Sequence, residues 1–298
     1  MHDDLLTRLR GAGRPRPLVD PSFAGGLREW LEDALAPAAA GLGPDQAPAR
    51  INKQALTQVL TCEAHLVASR AAPRVTVELV RGILVDALFR QWMTVGAIGD
   101  PVQDALDACA VEGGEVGPFV AGLDPADRRV LADEVGSQAA RIAAQWPVPP
   151  GSWMARTQER LDIGLCGGRI VMSGVIDLAF GAPAAERAST CLVDVKSGRR
   201  RVEHRADLHF YALLETLRSG APPFMLGTYY AGIGELDTEP VEEGLLVGAL
   251  RRVVDGTERL CRLAAGEAAG YRPNPLCPWC VGLPSCGPGQ EHVGAVVG

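Results

Sequence analysis

Two acids and a lysine stand in a pattern that could do chemistry. In Gly174-Val-Ile-Asp177-Leu an aspartate ends an apolar run, and in Leu192-Val-Asp194-Val-Lys196 an aspartate and a lysine alternate with valines. If both runs are strands, period-two alternation sends Asp194 and Lys196 to one face. Two carboxylates and an ammonium meeting at a strand edge can hold a hard divalent cation, Mg2+ or Mn2+, and orient a water or a phosphate oxygen. Hydrolysis of a phosphodiester needs that equipment. A lone Asp-x-Lys is common on solvated strands, but here apolar residues lie on both sides of it.

The cysteines form the second constellation. Cys277-Pro-Trp-Cys280 followed by five residues and Cys286 is a compact knuckle with three thiolates, and a tetrahedral site needs a fourth ligand. Cys261 is the nearer candidate in sequence and Cys62 the remote one; Cys261 falls on an apolar helical run, whereas a polar helix precedes Cys62. Zinc and an iron–sulfur cluster both accept four thiolates, so the spacing admits either. Cys109, Cys166, Cys191 and Cys261 read as buried thiols.

A third feature is the dense basic run Lys196, Arg199, Arg200, Arg201, His204 and Arg205, which directly follows the Asp-Val-Lys strand. Many such runs are solvated loops. Beside a candidate phosphate site, this one is placed to track a phosphate backbone without reading bases.

The elements that must position these groups can be traced along the 298 residues. Residues 1–50 carry two Gly/Pro-rich stretches around a short amphipathic helix, roughly Leu27–Leu35, and read as weakly structured. A helical pattern runs from Asn52 to Cys62 and His65. A stronger one covers about Val75–Val95, with Leu79, Ile83, Leu84, Leu88 and Trp92 at helical spacing. Further helices fill residues 101–145, one of them starting at Asp124-Pro125 with a capping acid and a proline in the first turn. Beyond Pro147-Val-Pro-Pro150 the texture changes. Glu159–Cys166 and Arg169–Phe180 read as a hairpin joined at Gly167-Gly168, Cys191–Lys196 as a buried strand, and Asp207–Arg218 as a helix. Phe224–Ala231 reads as a strand and Gly244–Ala265 as a long helix leading to the knuckle. This order predicts an α+β fold with a mixed sheet and a helical N-terminal addition.

Composition sets the outer limits. Hydrophobic residues make up 47% of the chain, ample for a core, and the net charge of -7 means that nucleic acid binding would rest on a local patch. No apolar run spans a membrane and the opening residues lack a signal-peptide pattern, so the expectation is a cytoplasmic protein with no membrane partner. Eight cysteines in such a chain argue against a disulfide framework. There is no Gly-x4-Gly-Lys-Ser/Thr phosphate loop, hence no motor of the chain's own.

Taken together, Gly174–Asp177, Asp194-Val-Lys196-Ser-Gly198, the Tyr211 helix and the terminal Cys-x2-Cys-x5-Cys resemble the PD-(D/E)xK nucleases. The branch they resemble is the RecB-like one, with its AddB-type and CRISPR-associated exonucleases, over roughly residues 51–290. The resemblance implies a restriction-endonuclease-like core in which Asp177 and Asp194 bind metal and Lys196 positions the nucleophile or stabilises charge. It also implies that Cys62 joins Cys277, Cys280 and Cys286 to hold a [4Fe-4S] cluster that staples the two ends together, with Zn2+ as the other reading. Where the family carries a histidine, this chain has Asp86 in Gly82-Ile-Leu-Val-Asp86, a hard ligand suited to Mg2+ or Mn2+. Where the family has Gln-x3-Tyr, this chain has Asp207-Leu-His-Phe-Tyr211, which puts Tyr211 among the nucleic-acid-binding candidates with Arg199, Arg200, Arg201 and Arg205.

The implied activity is that of a metal-dependent exonuclease on single-stranded DNA or DNA ends, with RNA open. It would act alone or with a separate helicase, repair or defence complex. The rivals are a catalytically weak nucleic-acid-binding subunit that keeps the cluster for structure, and a zinc-stapled interaction protein. The expected regions are a weakly structured segment 1–50, a helical region 51–150 with the first cluster cysteine, a nuclease core 151–265, and the cysteine knuckle and tail 266–298.

Overall fold

In the computed structural model, residues 2–11, 13–71, 75–111, 113, 115–184 and 186–297 are described. The chain starts with α1 (His2–Leu9) and α2 (Phe23–Ala40), then a short strand β1 (Ala49–Ile51). Six helices follow: α3 (Lys53–Thr61), α4 (Glu63–Ala71), α5 (Val77–Val95), α6 (Pro101–Val111), α7 (Val116–Gly122) and α8 (Pro125–Gln145). The hairpin β2 (Arg156–Leu165) and β3 (Ile170–Phe180) leads to β4 (Cys191–Lys196), α9 (Glu203–Ser219), β5 (Met225–Tyr230), β6 (Glu235–Pro240), α10 (Glu243–Ala264) and α11 (Gly287–Val297).

The fold is α+β: one mixed sheet with helices on both faces. β3 pairs antiparallel with β2 along one edge; its other edge takes β1 in parallel at Ile170–Met172 and β4 antiparallel at Leu178–Phe180. β4 then pairs parallel with β5, and β5 antiparallel with β6. One face packs against α2, α3, α9 and α10 through Leu31, Leu56, Leu192, Leu213 and Leu250. The other packs against α1, α5 and α8 through Leu9, Leu88, Ile142, Val193 and Tyr229. Phe89, Trp146 and Tyr229 interlock there, with the Trp146 ring centroid 5.3 Å from each of the other two in edge-on geometry. Those aromatic contacts fix α5 against β5 and thereby set where Asp86 stands.

The described residues of 1–50 form α1, α2 and the start of β1 in place of a weakly structured segment. α2 runs well beyond Leu27–Leu35, through Pro37, and buries Leu27, Leu31 and Leu35 in the core. Gly25, Gly26 and Pro37 are poor helix formers, but a buried leucine stripe outweighs intrinsic propensity. The Asn52–His65 pattern is two helices, broken at Cys62, whose extended backbone ends α3. Asp124 caps α8 as its position predicts, its Oδ1 accepting from the N–H groups of Ala126 and Asp127. Cys109, Cys191 and Cys261 are buried thiols, whereas Cys166 is half-exposed in the hairpin turn.

Candidate nuclease site and cysteine cavity

The site forms where two strands part. The β3–β4 ladder ends at Leu178 opposite Val193; one further step would set Asp177 opposite Asp194. Instead of continuing the ladder, Asp177 Oδ2 accepts the backbone N–H of Val195 at 2.7 Å. On the other side of β3, the β2 residue facing Asp177 is Gln158, whose φ of 52° lies in the left-handed region. A non-glycine residue there is strained and interrupts alternation, as bulges beside functional sites do. The effect shows in packing: Ile176 joins the core on one face of the sheet and Leu178 the core on the other.

Asp194 is 1% exposed and lies between two ammonium groups. Lys53 Nζ is 2.9 Å from its Oδ1 and Lys196 Nζ is 2.6 Å from its Oδ2, so each carboxylate oxygen carries an ammonium. Asp207 Oδ2 stands 3.8 Å from Lys196 and 4.0 Å from Lys53. Asp86 receives the Gln158 Nε2 group at 3.1 Å on each oxygen and pairs with Arg90 at 3.3 Å. Asp86, Asp177, Asp194, Lys53 and Lys196 all line one open cleft of about 1660 Å³.

The charges are strongly coupled. Burial, then Asp194 and Asp86, push Asp177 up to about 8. Burial also opposes ionisation of Asp194, but Lys53 and Lys196 overcome it and hold that carboxyl below its ordinary value. Burial raises Asp207 against the pull of the same two lysines. Burial, then Lys196, lower His204 to about 4, so this member of the basic run is neutral at pH 7.

Among the described residues, no three His, Cys, Asp or Glu side chains stand as a ready-made metal-holding group. The donor chemistry fits a hard divalent ion nonetheless: Asp194 and Asp86 both help to raise Asp177, and the three carboxylates line one cleft. The residues that would hold such an ion are Asp86, Asp177 and Asp194.

The basic run divides. Arg199, Arg200 and Arg201 line the cleft. Among the described residues, no carboxylate lies within ion-pair distance of Arg199 or Arg201, while Arg200 pairs with Glu235 and Asp237 at 2.7 Å each. Arg205 is drawn off to β6, where Glu239 takes it through both oxygens, and it lines no part of the cleft. Tyr211 is 3% exposed, with Lys53 Nζ 4.7 Å from its ring centroid. It supports a lysine and offers no face on which a base could stack.

Sequence reasoning missed Lys53 and Gln158. Lys53 carried a usable signal: it opens a helix with no acid in its first turn, where a cation opposes the helix dipole. Gln158 carried none, because its role depends on the backbone kink.

Beyond the C-terminal end of α3, the helix that Lys53 opens, Cys62, Cys277, Cys280 and Cys286 line one cavity of about 230 Å³ together with His65. Cys261 is 3% exposed in the core and does not line it. Backbone N–H groups of Asn274 and Gly289 each donate at 3.3 Å to the sulfurs of Cys277 and Cys286, and His65 Nδ1 lies 3.2 Å from Cys280 Sγ. Thiolates accept such donors, and four cysteines are the donor type that zinc and iron–sulfur clusters take, although these side chains do not stand as a ready-made metal-holding group. The Cys62 region is tied to this segment independently: Arg272 donates to Leu60 O at 2.7 Å, Gly270 N to Glu63 Oε2 at 2.8 Å, and Ala64 N to Gly270 O at 3.1 Å.

No family model matches the chain, and no curated protein does. Among solved structures, a candidate exonuclease from Eubacterium rectale is similar at a TM-score of 0.49 and 13% identity, over 74% of this chain and 84% of that one. The protein SSO0001 is similar at a TM-score of 0.36 and 12% identity, over 88% and 94%. Likeness this loose transfers no activity.

Proposed function

We propose that the chain is a metal-dependent nuclease that hydrolyses phosphodiester bonds in DNA, acting on single strands or ends. The observation that carries this reading is the meeting of Asp177, Asp194 and Lys196, with Asp86 and Asp207 beside them, where β3 and β4 part on an arginine-lined cleft. A divalent ion held by Asp86, Asp177 and Asp194 would supply Lewis acidity and make water a nucleophile near neutral pH. Lys196, anchored beside Asp194, is placed to stabilise negative charge that develops on the phosphate. Arg199 and Arg201 draw the backbone into the cleft without reading sequence. Gln158 keeps Asp86 turned toward the acids.

The four-cysteine cavity holds a [4Fe-4S] cluster in this reading, with Zn2+ as the alternative, and its work is structural. It closes a very long loop between Cys62 and the knuckle, so binding adds to folding free energy. Among the described residues no helix is long and apolar enough to cross a membrane. A motor, where one is needed, comes from a separate helicase, repair or defence complex.

The test is purified protein with Mg2+ or Mn2+ on end-labelled linear and circular DNA and RNA, single- and double-stranded. The reading expects cleavage of linear single-stranded DNA, abolished by chelation of the ion. Folded, metal-supplemented protein that binds these substrates and cuts none would support the binding-subunit reading instead.

A further inference from the structure

A second pocket adjoins the cleft along the basic run, and its lining bears on how the proposed nuclease holds a strand; the inference rests on that reading. Leu226, Thr228 and Tyr230 of β5 stand opposite Glu239, Asp237 and Glu235 of β6, so the six side chains share one face of the sheet. Between that face, the first turns of α9 and the segment Arg200–Val202 lies a pocket of about 530 Å³. Leu208 and Leu226, both buried, give it an apolar floor. Thr228 is the polar group set into that floor. It is only 5% exposed and lines the pocket, yet its hydroxyl forms no hydrogen bond among the described residues. Burying a hydroxyl without a partner costs stability, and a ligand group that bonds it recovers that cost.

We propose that this pocket is a base subsite, taking the nucleobase of a substrate nucleotide whose phosphate rests on Arg201. Continuity with the cleft comes first: Arg200 and Arg201 line both spaces. The wall between them is thin. His204 lines the cleft, Tyr230 lines the pocket, and His204 Nδ1 lies 3.3 Å from the Tyr230 hydroxyl. Tyr230 in turn pairs in register with Lys196 of the acid cluster. Charge then sorts the two parts of a nucleotide. Arg201 at the shared rim has no carboxylate partner among the described residues and suits a phosphate. Inside the pocket, Asp237 neutralises Arg200 and Glu239 neutralises Arg205, so a neutral base fits there better than an anion. A hydroxyl both donates and accepts, so Thr228 serves any base and reads none strictly. A base must leave its stack to enter, which ties the proposed preference for single strands and ends to this pocket.

Single-stranded DNA carrying 4-thiothymidine, irradiated on the full chain in chelator, tests this without any need for cleavage, the crosslinks being located by mass spectrometry. Wild type should crosslink at pocket residues such as Val202, Leu208 or Tyr230. Thr228→Phe, which fills the pocket from its floor, should cut that yield about tenfold, the scale of one base contact, while crosslinks to cleft residues persist. Thr228→Leu serves if circular dichroism shows the phenylalanine variant unfolded. In Mn2+, an abasic residue at one fixed distance from the cut should slow single-turnover cleavage by wild type about tenfold and cleavage by the filled variant not at all. Crosslinks confined to the cleft, pocket crosslinks undiminished in a folded variant, or equal abasic slowing of both proteins overturns the inference and leaves the nuclease reading standing. Pocket crosslinks on wild type that cuts nothing keep the base pocket and overturn the nuclease reading. No crosslink anywhere on folded wild type overturns both.

Discussion

Asp177 spans the gap between two strands, its Oδ2 accepting the N–H of Val195 one residue beyond Asp194. A side chain therefore replaces the backbone bond with which the β3–β4 ladder would have continued. The acid is locked at the mouth of the split, beside a second acid, and both belong to the sheet. Sites built on strands hold their geometry better than sites on loops.

That position makes stability depend on pH. Asp177 sits up at about 8 in the folded protein, through burial first and then Asp194 and Asp86, against roughly 3.9 for a free aspartate. A folded value above the unfolded one gives stability that is full below the unfolded value and lost as pH rises through the folded one. Metal-free protein should thus weaken between about pH 4 and about 8, by at most ~1.4 kcal/mol per pH unit. Urea midpoints at pH 6 and pH 8 check this: the wild-type value should drop, and Asp177→Asn should drop less. Equal drops would remove Asp177 as the cause.

Lys196→Ala should reduce cleavage by roughly a hundredfold or more, the scale of losing one donor to developing charge. Folding and DNA affinity should change little, because Lys53 still neutralises Asp194. Single-turnover rates, melting temperatures and filter binding separate the three effects. Unimpaired cleavage would assign the cutting to another site or to a contaminant.

Arg199 and Arg201, which have no carboxylate partner among the described residues, should carry the phosphate contacts. Replacing Arg199 and Arg201 by Ala should flatten the salt dependence of DNA binding by roughly one unit of slope per arginine. Arg205→Ala should leave the slope as it is, because Glu239 already holds that guanidinium. Binding measured across a series of salt concentrations decides it, and the opposite ranking would move the DNA path from the cleft toward β6.

Cys62→Ala should lose the bound iron or zinc and expose both ends of the chain to proteolysis. Cys261→Ala should keep the metal and cost about 1 kcal/mol through a small core cavity. Metal analysis with limited proteolysis reads both, and a reversed pattern would give the fourth-ligand role to Cys261.

Much of this was legible in the residues. Asp194 and Lys196 share a face because β4 is a regular strand, and the hairpin turn at Gly167-Gly168 followed from glycine's tolerance of positive φ. The cysteine knuckle announced itself by spacing. The polar edge strand β6 was missed because only Leu236 and its half-buried neighbours face inward, leaving little hydrophobic alternation to detect. Arg205 and Tyr211 were placed in the nucleic acid path from sequence, but β6 captures one and Lys53 covers the other. Lys53 and Gln158 come to the site from remote segments; the helix start marked Lys53 as unusual without naming its partners, and Gln158 left no local pattern.

The most direct test of the central claim compares wild type with Asp194→Asn on end-labelled single-stranded DNA under single turnover in Mn2+. Asn keeps the shape and removes the charge that Lys53 and Lys196 share. The account predicts cleavage by wild type and its loss, by a hundredfold or more, in a folded Asp194→Asn protein that still binds DNA. Equal cleavage by the two proteins would contradict it.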